Sequence, residues 1–218
     1  VGEPYVGPLF PTNDHRNPFE VLIPKLIAAT EKFDMIPVRE KETFPPQPWD
    51  GTEVKLPGVC GDGGYFLKGG KGEKWAVGGT VVRPLATRKE TKGRFSIYSL
   101  EGSSLHSGKG LEKLLEFKET HHAVYTVEGV VKLVIDGSEV KTTAGETSFV
   151  PAGTKWRLET ESVYARAYIF ANGGGIGEIL TEVGSGYEIS AVPQLGEAVA
   201  WDESKLKGLE TELKFAVV

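Results

Sequence analysis

Leu111 to Glu159 reads LEKLLEFKETHHAVYTVEGVVKLVIDGSEVKTTAGETSFVPAGTKWRLE. Asp136-Gly137 stands between VVKLVI and SEVKTT, the dipeptide that favours a tight β-hairpin because both central residues of that turn take positive φ. Ala144-Gly145 and Pro151-Ala152-Gly153 punctuate the chain again within a few residues. Short apolar runs at strand spacing lie on either side of these turns. Working outward, the runs are Trp75–Val82, Phe95–Leu100, Ala123–Val127, Val130–Ile135, Glu146–Val150, Trp156–Glu159 and Val163–Phe170. Short strands at regular spacing with Gly, Asp or Pro between them predict an antiparallel sandwich or barrel.

The flanks read differently. Residues 1–18 hold four prolines and no apolar period, which predicts an extended arm laid across a surface. Phe19, Leu22, Ile23, Leu26, Ile27 and Phe33 fall near helical spacing, with Pro24 either in a first turn or at a kink. Proline-rich residues 34–57 read as a linker or strap. Residues 172–186, NGGGIGEILTEVGSG, read as a glycine-rich loop, and they do not fit a dinucleotide fingerprint because Glu178 replaces the last glycine. Residues 202–214 read as a short surface helix with Asp202 near its start, weakened by Gly208. The expected organisation is an arm with a short helix over 1–57, a β-barrel over 58–200 and a tail with a short helix over 201–218.

Composition limits the function. Of 218 residues, 39% are hydrophobic and 25% charged, which is ordinary for a globular chain and excludes wholesale disorder. The net charge of −5 argues against a nucleic-acid partner, which needs a basic face. No apolar run approaches the roughly 20 residues that a membrane span requires. Cys60 is the single cysteine, so neither an internal disulfide nor a cysteine-based zinc site can form. The chain opens at Val1 and shows no signal peptide, which reads as a processed product or a fragment, with secreted and cytoplasmic locations both open.

Tyr125-Thr-Val-Glu-Gly129, Asp136-Gly137, Ala144-Gly145-Glu146 and Pro151-Ala152-Gly153 together resemble the two halves of the cupin signature. That resemblance implies an all-β fold: a cupin barrel of the jelly-roll type, here with an N-terminal extended arm and short helices. Residues 2–14, GEPYVGPLFPTND, are similar to the segment linking the two barrels of fungal quercetin 2,3-dioxygenase-type bicupins. On that resemblance the chain is the linker and second, C-terminal barrel, and a first barrel is missing.

A metal-binding cupin carries two histidines, a glutamate and a late histidine. With Gly129 setting the register, the first two positions fall on Leu115 and Phe117, the glutamate position on His122 and the last on Trp156. A divalent ion needs three or four N or O donors. Leu, Phe and Trp supply none, so no cofactor is expected in this barrel. Copper or another divalent metal is expected in the missing first barrel.

His121 and His122 are adjacent, so in a strand they face opposite ways and cannot share one ion without a bulge. His106 lies in a loop. His122 reads either as a hydrogen-bonded core residue or as a neutral acid/base in an apolar pocket, where desolvation depresses its pKa. In Val163–Phe170 one face carries Tyr164, Arg166, Tyr168 and Phe170, the other Val163, Ala165, Ala167 and Ile169. Packing favours the small residues inward. The opposite choice puts Arg166 in the pocket lining with Leu115, Phe117 and Trp156, beside His122.

Three functions follow. One is a ligand-free structural half of a bicupin that covers the first barrel and shapes its substrate entrance, the whole opening a flavonol ring with oxygen. Its partner is the missing N-terminal barrel or a second copy of the chain. Another is a metal-free pocket that binds a small aromatic molecule and isomerises or cyclises it, with His122 as acid/base. The third is a sugar- or metabolite-binding module without catalysis.

Overall fold

The computed structural model describes residues 56–59, 64–67, 69–106, 113–189, 191–193 and 202–218. The expected arm over 1–18, the helical spacing over 19–33 and the strap as far as residue 55 lie outside them. Twelve strands are described: β1 (Trp75–Val77), β2 (Thr80–Ala86), β3 (Ser96–Gly102), β4 (Leu115–Phe117), β5 (His122–Glu128), β6 (Val130–Ile135), β7 (Ser138–Thr143), β8 (Thr147–Val150), β9 (Lys155–Thr160), β10 (Ala165–Ala171), β11 (Ser185–Gly186) and β12 (Phe215–Val217). Helix α1 spans Arg88–Thr91, α2 Ile176–Val183 and α3 Leu206–Glu212.

The strands form two sheets, ordered β11-β1-β2-β3-β10-β5-β8 and β12-β4-β9-β6-β7. Their pairings are antiparallel. This is the all-β antiparallel architecture expected from the turn pattern, of the jelly-roll type that the cupin resemblance implies. Asp136 and Gly137 both hold positive φ, 46° and 81°, and close the β6–β7 hairpin with Ile135 opposite Ser138. Gly129, at φ 72°, joins β5 to β6. A Cβ there would lie 2.1 Å from the Tyr164 carbonyl, so glycine is required by space as well as by conformation.

The two sheets face each other across one apolar core that includes Val82, Leu100, Leu115, Phe117, Val124, Leu133, Val150, Trp156, Leu158 and Ile169. On β10 the small residues Ala165, Ala167 and Ile169 turn inward and are buried. Arg166 and Tyr168 turn outward, where the Arg166 guanidinium lies 5.6 Å from the Tyr168 ring centroid and 3.8 Å from the Glu101 carboxylate. Val163, grouped with the inward face by alternation, precedes the strand and is exposed.

Three readings of local structure are corrected. Trp75–Val82 is not one strand: Gly78 and Gly79 turn it back, with Val77 opposite Thr80. Gly79 is demanded by the His106 ring, which a Cβ would meet at 2.0 Å. Residues 172–186 are not simply a loop, since Ile176, Ile179, Leu180 and Val183 form the buried stripe of α2. The tail helix is shorter than read and leads into β12, which pairs with β4 and so completes the second sheet. Asp202 accepts from the Ser204 amide and hydroxyl, capping the 3₁₀ turn before α3. No described helix is long and apolar enough to cross a membrane.

Candidate functional site

β4, β5 and β9 bring together Leu115, Phe117, His122 and Trp156, the four positions that the cupin resemblance gives to metal ligands. Leu115 lies opposite Trp156 in the β4–β9 pair, and the Gly153 amide donates to the Phe117 carbonyl at 2.7 Å. That bond ties the Pro151–Gly153 turn to β4. His122 projects from the other sheet, with Ala171 and Val150 beside it. Its ring centroid is 4.5 Å from that of Phe117 and 5.0 Å from that of Trp156. Phe215 of β12 stacks on the far side of Phe117 at 5.5 Å. Leu115, Phe117, His122 and Trp156 are each only 1% exposed.

His122 has a definite structural task. Its Nε2 accepts a hydrogen bond from the Ile176 amide at 3.2 Å, in the first turn of α2. The Glu178 carboxylate accepts from the Gly175 amide at 2.7 Å, so two otherwise unpaired donors of the helix start are satisfied from within the fold. With Nε2 accepting, the ring proton resides on Nδ1, which is buried without a hydrogen-bond partner. Burial, and then the neighbouring His121, lower the His122 pKa to about 3. The imidazole is therefore neutral at ordinary pH.

This arrangement leaves no slack at the helix start. A Cβ on Gly175 would lie 2.4 Å from His122 Nε2 and 2.8 Å from the Ala171 Cβ. Gly175→Ala is expected to cost about 1–3 kcal/mol, the usual range for overpacking a tight interior. Urea unfolding of the two proteins measures it, and an unchanged midpoint would show that His122 does not pin α2.

The other candidates are placed elsewhere. His121 faces outward as alternation requires: its Nδ1 accepts from the Ala152 amide at 3.0 Å and its ring stacks on Phe149 at 5.8 Å. His106 is buried beside Gly79 and donates from Nε2 to the Pro193 carbonyl at 2.6 Å. Arg166 does not line the His122 interior. It pairs across β5 with Glu128, at the opposite end of that strand from His122, and points to the outer face because the alanines of β10 fill the space between the sheets.

The residues present do not fit a metal at the cupin ligand position. Three of the four positions, Leu115, Phe117 and Trp156, offer no lone pair to a metal, and the fourth already uses its Nε2 lone pair for Ile176. Among the described residues, no three His, Cys, Asp or Glu side chains gather as a metal site.

A second feature was not visible in the sequence reading. Helix α2 packs on β1, β2 and β3, and beside it opens a cavity of about 810 Å³ whose lining includes Trp75, Arg88, Tyr98, Glu178 and Glu212. Burial raises the pKa of Glu178. Burial, and then the Glu178 carboxylate, raise that of Tyr98. These residues come from distant strands and helices, so no local motif marks them.

No family model matches the chain. It is 27% identical over 130 residues to quercetin 2,3-dioxygenase of Bacillus subtilis (strain 168), a match covering 59% of this chain and 37% of that protein. The matched segment thus spans little more than a third of the relative. Among solved structures, an RmlC-like cupin from Shewanella frigidimarina NCIMB 400 aligns with TM-score 0.43 and 18% identity, over 54% of this chain and 97% of that one. KdgF from Halomonas sp. aligns with TM-score 0.42 and 9% identity, over 53% and 98%. Ectoine synthase from P. lautus aligns with TM-score 0.40 and 19% identity, over 60% and 88%. The paired antiparallel sheets and the glycine-dependent turns give the β-region of this chain a jelly-roll fold of the cupin type, and in sequence it is similar to a quercetin 2,3-dioxygenase.

Proposed function

We propose that this barrel is the ligand-free half of a quercetinase-like bicupin. Its task would be structural: to cover a metal-bearing barrel and shape the entrance for a flavonol. The observation that carries this reading is the filled interior. Where a catalytic cupin gathers metal donors, Leu115, Phe117 and Trp156 pack around His122. The match to quercetin 2,3-dioxygenase, 27% identical over 130 residues and covering 37% of that protein, supports the family context. Copper or another divalent ion, and the oxygen chemistry that depends on it, would reside in the other barrel.

The acid/base alternative for His122 fits less well. Nε2 is committed to the Ile176 amide, and Phe117 and Trp156 cover the ring. A general base must reach the proton that it removes.

Oxygen uptake with quercetin tests the proposal. The chain alone, supplied in turn with Cu, Fe, Mn, Ni and Zn, is expected to consume oxygen no faster than the metal blanks. Turnover that disappears in His122→Ala would overturn the structural role and return catalysis to this barrel.

A further inference from the structure

The cavity beside α2 is separate from the packed ligand positions: Leu115, Phe117, His122 and Trp156 are not among its lining residues. At about 810 Å³ it falls within the range of small-molecule sites. Its chemistry is specific. Arg88 stands 3.6 Å from Glu178 and also pairs with Glu212, so its charge is compensated inside the protein. Glu90 accepts from the Gly58 amide and from the Thr87 amide and hydroxyl, so it too is occupied. With Glu73, Lys89, Glu182 and Lys205 also in the lining, the wall holds five carboxylates against three cations, which disfavours an anion. What the wall does present is a fork of guanidinium donors next to carboxylate acceptors, with the indole of Trp75 in the same lining.

Donors and acceptors side by side suit groups that both give and take hydrogen bonds, which is the behaviour of hydroxyls. An indole suits the C–H face of a ring, where an apolar body meets a polar rim. We propose that this cavity binds a neutral polyhydroxylated ligand of sugar size, with Trp75 as its apolar wall and Arg88, held by Glu178 and Glu212, as its hydrogen-bonding partner. The site lies outside the cluster of Leu115, Phe117, His122 and Trp156 and calls for no metal.

Ligand-observed saturation-transfer NMR on the full chain tests it. The neutral probes are glucose, galactose, xylose, rhamnose, maltose and cellobiose, and the charged probes are citrate and choline. At least one neutral sugar should bind saturably in the millimolar range. Trp75→Ala and Arg88→Lys should each weaken that binding about tenfold, and Trp75→Phe should restore most of the loss. Phe149→Ser, on an exposed position elsewhere, should leave it unchanged. Thermal unfolding of each variant shows that it is folded. Absence of saturable binding by every sugar, binding that survives Trp75→Ala, or tighter binding of citrate or choline would overturn the proposal.

Discussion

Trp156→Ala should destabilise the protein by about 3–5 kcal/mol, the range for deleting a large aromatic side chain from a packed core. Trp156 is 1% exposed, meets the His122 ring at 5.0 Å and lies opposite Leu115 across β4 and β9. Its removal takes away apolar contact with both sheets at once. It also leaves a space that the short strand β4 cannot collapse to fill without losing its pairing to β12. Urea unfolding gives the loss directly, and Trp156→Phe should recover a good part of it. A loss below about 1 kcal/mol would mean that the interior is hollow and able to relax, as a ligand pocket would be.

Acid should destabilise the fold through His122. Its folded pKa is lowered from 6.5 to about 3. Above pH 6.5 the imidazole is neutral in both the folded and the unfolded chain, and its contribution is fully present. As pH falls below 6.5 the unfolded chain takes up a proton that the folded chain refuses, so stability is lost progressively down to about pH 3. Within that window the slope attributable to this one group approaches about 1.4 kcal/mol per pH unit. His122→Gln, whose amide oxygen can still accept from the Ile176 amide, removes the titration. The difference in unfolding free energy between wild type and variant should therefore shrink or reverse as pH drops from 6.5 towards 4, the carboxylates being common to both. Parallel pH profiles for the two proteins would show that His122 is not buried as described.

The barrel was legible because its turns are chemically explicit. Asp136-Gly137 can hold two positive φ values in succession, and Gly129 sets the register that placed Leu115, Phe117, His122 and Trp156 on one interior. Alternation alone left β10 open. Either face could have turned inward, and the space between the sheets chose the alanines over Arg166. The glycine run at 173–175 has the composition of a loop and masks the start of α2, although Ile176, Ile179, Leu180 and Val183 follow it at helical spacing. β12 could not be read locally: three residues become a strand only by pairing with β4, far away in the chain. The cavity residues were invisible for the same reason. Ser96 and Glu178, which share a hydrogen bond at 3.5 Å, are 82 positions apart.

The central claim is that Leu115, Phe117, His122 and Trp156, at the positions that the cupin resemblance gives to metal ligands, form a filled core rather than a metal site, and metal stoichiometry tests it most directly. The chain is incubated with Cu, Fe, Mn, Ni and Zn, dialysed, and its metal content measured against protein concentration. Leu115, Phe117 and Trp156 offer no lone pair suited to a divalent ion, and His122 alone cannot hold one against water in an aromatic surround. The account predicts well under one equivalent of any of the five metals. One equivalent retained by the wild type and lost in His122→Ala would contradict it.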